Sequence, residues 1–147
     1  MTSSPQDPSS WGTSFPNQLP ALMEAIDQLE SFLNSHNAQP KTLFTARLAA
    51  EEMGTNILKY GYDDTNPHVI HLSAAASPDS FTLQLTDDGH AFDPTLRSDP
   101  SPDQDLADRT PGGWGISLVR KMSRSVTYER KEQTNILTIT LDRQPAE

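Results

Sequence analysis

Glu52-Met53-Gly54-Thr55-Asn56-Ile57-Leu58-Lys59-Tyr60-Gly61-Tyr62 is the stretch on which the reading of the fold turns. It closes a helical pattern that opens at Pro40, with Ala46, Ala49, Ala50, Met53, Ile57 and Tyr60 recurring at spacings of three and four. The pattern stops at Gly61, a helix C-cap. Glu52 and Asn56 stand four residues apart and therefore share one face. At about 100° per residue that face lies beside the apolar stripe, which predicts a position at the margin between core and solvent, where a cleft wall would be. Glu51 points elsewhere and has Arg47 four residues earlier as a surface partner. Taken alone, an E-x-x-x-N pair is an ordinary polar helix margin; its meaning depends on motifs farther along the chain.

Asp63 to Pro67 reads as a turn, and Val69 to Ala76 and Ser80 to Asp87 as two strands joined through Ser77-Pro78-Asp79. Phe81, Leu83 and Leu85 alternate with Thr82, Gln84 and Thr86, so one face is buried. Asp87 has the parity of the apolar set and projects inward as the strand ends, whereas Asp88 projects away. A buried carboxylate must find donors. The exocyclic amine of adenine is one, and Gly89 would let the backbone approach a flat ring; the alternative is a strand-terminal Asp capping the turn. Between Pro94 and Pro111 prolines interleave with Asp99, Asp103, Asp105 and Asp108 without periodicity, which predicts a loop or lid over 94–112.

Gly112-Gly113-Trp114-Gly115 then opens a helix running to Met122. A helix N-terminus offers free N–H groups and the positive end of its dipole, which suits phosphate, although a plain loop-to-helix joint gives the same letters. It is neither a Walker A loop nor a G-x-G-x-x-G turn. Ser125–Arg130 and Thr134–Leu141 predict a second hairpin. Ahead of the central helix, Trp11 to Phe15 reads as an edge strand. Leu22, Ile26, Leu29, Phe32 and Leu33 then mark an amphipathic helix from Pro20 to about His36. The expected fold is α+β, a two-layer sandwich with helices on one face of a mixed, mostly antiparallel sheet. Residues 1–12 are expected as a flexible tail, and 13–147 as one domain.

Composition narrows the function. The chain has 147 residues, long enough for a real core, and no cysteine, which excludes disulfides and thiolate metal sites. No apolar run approaches a membrane span. The first ten residues are rich in Ser and Pro without a basic start, so no signal peptide is expected and the cytoplasm is the expected location. Eleven Lys and Arg against twenty Asp and Glu give a net charge of −9, with no basic stripe to suit a nucleic acid. A polyphosphate ligand would need a metal or a local positive field. Mg²⁺ takes one or two protein ligands beside phosphates and its own waters, a role that suits Asn56. Glu52 could accept the proton of an attacking hydroxyl or water.

In this order the motifs resemble the GHKL ATPase superfamily (the Bergerat fold), and within it the small anti-sigma-factor serine/threonine kinases. The segment from Glu52 to Tyr62 is similar to that family's E-A-x-T-N-A-x-x-H-G-Y stretch, and the likeness extends from about Phe15 to Leu141. What the resemblance implies is a catalytic base at Glu52, Mg²⁺ coordination by Asn56, and an adenine contact at Asp87, with Gly89 and Ala91 in the first glycine box. It further implies phosphate contacts from Gly113, Trp114 and Gly115, a threonine near the adenine at Thr134, and closure of the 94–112 lid over ATP. The implied activity is phosphorylation of a serine or threonine on an antagonist protein. A sigma factor or similar target would be released or held in exchange, and a homodimer is compatible with the family.

Several positions depart from the family pattern. Ala91 replaces the second glycine of D-x-G-x-G, and Thr110-Pro111-Gly112 stands where a basic residue is common, leaving Arg109 slightly upstream as the candidate for the γ-phosphate. Tyr60 replaces a histidine, and Gln133 a glycine. None of His36, His68, His71 and His90 lies where a phosphoacceptor on a dimerising helix pair would. Beside the kinase, two readings stay open: a nucleotide-dependent module that sequesters a partner without efficient transfer, and a histidine-kinase-type catalytic domain working in trans.

Overall fold

The computed structural model describes residues 9–91 and 113–143, with only the helical backbone described for 113–115. In chain order the elements are β1 (Ser10–Pro16), α1 (Leu19–Ser35), α2 (Pro40–Tyr60), β2 (Val69–Ala76), β3 (Ser80–Asp87), α3 (Gly113–Met122), β4 (Ser125–Lys131) and β5 (Thr134–Asp142). The expected lid and Arg109 lie outside the described residues. β1 begins at Ser10, so Ser10, Trp11 and Gly12 pair with β2 ahead of the boundary expected after residue 12.

The strands form one sheet in the order β1-β2-β3-β5-β4. Every pairing is antiparallel. The expected α+β sandwich, helices on a mostly antiparallel sheet, is the fold found, and the described strands carry the antiparallel part throughout. β3 and β4 each pair antiparallel with β5 and so run in the same direction. A connection between parallel strands cannot be a tight turn and needs a long crossover, which is why the chain from Asp88 through α3 separates them.

Pro20 and Pro40 fall in the first turn of α1 and α2, where a missing N–H costs nothing. Leu22, Ile26, Leu29 and Leu33 of α1 are fully buried against Ala46, Ala49, Ala50 and Met53 of α2 and the inner sheet residues Ile70, Leu72, Phe81, Leu83, Ile139 and Leu141. α1 and α2 approach closely at Gly54, where an added Cβ would stand 2.6 Å from Leu22 Cδ1. The closeness of the helices holds the Asn56 end of α2 down on the sheet. Arg47 bridges α2 to α1 through Asp27 and Glu30 at 3.0 and 2.7 Å, with its expected partner Glu51 farther away at 3.9 Å. No described helix is long and apolar enough to cross a membrane.

The β4–β5 hairpin turns through two residues, since Lys131 pairs with Thr134. Glu132 and Gln133 have φ of 52° and 65°. Positive φ at both central positions marks a type I′ turn, which favours Asn-Gly, and here two residues with full side chains adopt it at a steric cost. Gln133 is the position at which the resemblance leads one to expect glycine. The double substitution Glu132→Asn, Gln133→Gly should stabilise the domain by about 1 kcal/mol. In thermal unfolding that is a rise of roughly 3 °C; an unchanged or lower midpoint would show the turn to be unstrained.

Candidate nucleotide site

Three chain segments meet at one end of the inner sheet face: the C-terminal half of α2, the end of β3 with the turn after it, and the start of β5. Asp87, of the same parity as Leu83 and Leu85, is 6% exposed, while the Asp88 side chain is 63% exposed. The opposite phases expected for the two aspartates are those found. Gly89 donates its N–H to Asp87 Oδ2 at 2.9 Å, and Asn135 donates from Nδ2 to the same oxygen at 3.3 Å. Among the described residues no hydrogen bond reaches Oδ1. Burial holds the Asp87 carboxyl above the ordinary carboxylate range, with the bonds from Gly89 and Asn135 drawing it partway back; the charge of Asp88 adds to the rise and Arg130 opposes it.

The turn after β3 is fixed to the end of α2. His90 donates its N–H to the Gly61 carbonyl at 2.8 Å. Gly61 caps α2 as expected but in the right-handed conformation, φ −74°, so it is not a left-handed cap. The requirement for glycine is instead at Gly89, where an added Cβ would lie 2.5 Å from the Gly61 carbonyl oxygen and 2.8 Å from Asp87 Oδ2. Two backbone segments can pass there only without a side chain.

Asn56 departs from its expected place. It is 4% exposed rather than marginal, in a cleft it shares with Tyr60, Asp87, His90 and Asn135. Its amide nitrogen is buried and bonded to no described residue. Leaving such a group unpaired costs about 1–3 kcal/mol, so a buried amide facing a cleft is suited to a ligand. An apolar slot continues from this cleft, walled by Met53, Ile57, Leu85, Tyr128 and Leu137 and closed at its polar end by Asp87 and Asn135. An apolar slot with a carboxylate at one end has the polarity that a purine base requires. Glu52 lies one turn before Asn56 on α2 and is half-buried. Among the described residues no group of three or more His, Asp or Glu could hold a metal by itself. A cation here would therefore need an amide such as Asn56 together with oxygens from its ligand.

Other expected positions distribute unevenly. Ala91 is exposed just beyond His90. α3 starts at Gly113, so Gly113, Trp114 and Gly115 form its first turn as expected, packed onto α2 through the buried Ile116 and Val119. Thr134 has the opposite parity to Asn135 and lines a second cleft, toward the outer face of the sheet, with His68, His71 and Asp88; Asp87 borders both this cleft and the inner slot. The residue of β5 directly opposite Asp87 is Asn135. It was legible by parity, since Asn135, Leu137, Ile139 and Leu141 form one alternating buried set.

This architecture is that of a nucleotide-binding ATPase domain: residues 15–141 match the family described as histidine kinase-like ATPase domains, and the chain belongs to it. Among characterised proteins it is similar to the serine/threonine-protein kinase BtrW of Bordetella bronchiseptica, 33% identical over 117 residues that make up 80% of this chain and 82% of that protein. Among solved structures it resembles the RsbU and RsbW domains of Rv1364c from Mycobacterium tuberculosis, with a TM-score of 0.63 over 94% of this chain at 15% identity. The chain spans 34% of that longer polypeptide, and the likeness there concerns the fold.

The raised Asp87 carboxyl has a measurable signature. In the folded state Asp87 keeps its proton to higher pH than in the unfolded chain, where the ordinary value is 3.8. Its contribution to stability is complete below that value and is lost as pH rises through the raised one. Denaturant midpoints followed from about pH 4 to 7 should therefore fall less with pH for Asp87→Asn than for wild type. Parallel curves would show that burial does not perturb this carboxyl.

Proposed function

We propose that this chain is an ATP-dependent protein serine/threonine kinase of the anti-sigma-factor type, acting on an antagonist protein in a partner-switching system. The observation that carries the reading is the convergence of Asp87, with Oδ1 left for a ligand donor, and the unpaired Asn56 amide on one slot with apolar walls. Membership of the ATPase family and the likeness to BtrW support the same chemistry. In this reading the adenine lies between Met53, Ile57 and Leu137, and its exocyclic amine donates to Asp87. Asn56 would hold Mg²⁺, which when bound would supply charge neutralisation for the phosphates. The first turn of α3, from Gly113 to Gly115, presents backbone N–H groups to the phosphates; Arg109 is the candidate cation for the γ-phosphate.

Glu52 serves as the general base. The serine or threonine hydroxyl of the antagonist gives its proton to the Glu52 carboxylate as its oxygen bonds the γ-phosphorus, and the bond to the β–γ bridging oxygen breaks to leave ADP. Exchange between the antagonist and a sigma factor or similar target then depends on the phosphorylation state. We place the protein in the cytoplasm, without direct nucleic-acid contact, and infer a homodimer.

Incubation with Mg-ATP labelled at the γ position and the candidate antagonist tests this directly. Asn56→Ala should weaken Mg-ATP binding by about tenfold or more, the scale of losing one ligand or a well-buried polar contact. Glu52→Gln should keep binding and lower transfer by roughly 100-fold or more. If wild type binds ATP yet labels no protein, the nucleotide-dependent sequestering module takes the kinase's place. If no ATP binds, both readings fail.

A further inference from the structure

The side chain that most constrains Asp87 belongs to none of the motifs that suggest a nucleotide site. Asn135 is 6% exposed and directly opposite Asp87 on the neighbouring strand. Its Nδ2 donates to Asp87 Oδ2 at 3.3 Å, to the Gly89 carbonyl at 3.3 Å and to the His90 carbonyl at 2.8 Å. Its Oδ1 accepts from the Tyr128 hydroxyl and from Arg130 Nη1, the latter at 2.8 Å. The same Arg130 nitrogen also donates to the Gly89 carbonyl at 3.0 Å. One amide thus ties the strand-end carboxylate, two consecutive carbonyls of the glycine turn and two side chains of β4 into a single network.

Resting on the adenine reading of this slot, we propose that Asn135 is a positioning residue for base selection: by fixing Asp87 Oδ2 and the Gly89-His90 turn, it presents Oδ1 as an ionised acceptor and so favours adenine over guanine. The chemistry comes from the donors. Adenine offers an N–H to an ionised carboxylate, whereas guanine places a carbonyl oxygen at the corresponding position and is repelled by it. A protonated Asp87 reverses the preference, because its O–H donates to that guanine oxygen. A site that hydrogen-bonds one partner and leaves the other unpaired discriminates strongly. Asn135 supports the ionised form, as does Arg130; burial and the neighbouring Asp88 oppose it. The other titratable groups around this carboxylate among the described residues are Tyr62 after α2, Tyr128 on β4, His90 in the turn, and His68 and His71 across the outer cleft that Asp87 borders.

The test uses the full chain with two nearly isosteric or smaller replacements, Asn135→Asp and Asn135→Ser. Asn135→Asp keeps the acceptor for Tyr128 and Arg130 and removes the amide donor facing Asp87. Two quantities are read: the Asp87 carboxyl titration in the nucleotide-free protein by carbon NMR, and the affinities for ATP and GTP as a function of pH. For folded variants the Asp87 midpoint should rise by about one pH unit or more, the size of a lost hydrogen bond or an added like charge. The pH at which ATP loses its advantage over GTP should rise by the same interval. If wild type prefers ATP and the variants leave both the Asp87 titration and the ATP-to-GTP ratio unmoved, Asn135 is merely structural and the proposal is overturned. If wild type binds neither nucleotide although Asp87 titrates as expected, the failure lies in the nucleotide reading, and base selection falls with it.

Discussion

A carboxylate buried at the end of a central strand must be met by donors, and the pocket end of this domain is organised around meeting that demand at Asp87. The transfer of an ion from water to a low-dielectric interior is prohibitive unless it is bonded or neutralised. Here the Gly89 N–H and the Asn135 amide supply the bonds to one oxygen, and each is available only because of a larger feature. Gly89 can turn back because nothing projects from its Cα toward the Gly61 carbonyl. Asn135 is present because β5, not β4, pairs with β3.

The topology and the chemistry are consequently one arrangement. Inserting β5 between β3 and β4 forces the chain after Asp87 into a crossover, and α3 is the helix that makes the return. The crossover leaves the edge of β3 free to take β5 as its partner, and it begins a helix with two glycines on the same layer as α2. α2 is held close to the sheet through the α1 contact at Gly54, which brings Asn56 within the cleft that Asp87 closes. Among the described residues the Asn56 amide nitrogen is buried without a partner, and Oδ1 of Asp87 receives no hydrogen bond; both face the cleft and are left for a ligand to satisfy.

Much of this is legible in the sequence, for reasons that differ by residue. The prolines at 20 and 40 and the three-and-four spacing place both long helices to within a residue or so, because helix periodicity is local. Strand parity separates Asp87 from Asp88 for the same reason. The direction of the strands is not local: alternation looks the same in parallel and antiparallel pairs, so the sequence supports a mostly antiparallel sheet while the strand order comes only from the structure. A helical wheel puts Asn56 at a margin because it holds no neighbours, whereas the Asp87–His90 turn covers that face. The family resemblance points to the Thr134 hydroxyl, but the residue on the pocket side is Asn135, whose parity with Leu137, Ile139 and Leu141 marks it as buried.

The central claim is that the cleft lined by Asn56, Asp87, His90 and Asn135, with Gly89 in the turn that closes it, takes the nucleotide. The most direct measurement is a titration of isotopically labelled protein with Mg-ATP, tracking the side-chain amides of Asn56 and Asn135 and the backbone amides of Gly89 and His90 by NMR. The account predicts that all four move together along a single binding curve, while His71 and Thr134 on the outer sheet face stay in place. Movement confined to the outer-face cleft, or four signals that remain still under saturating Mg-ATP, would contradict it.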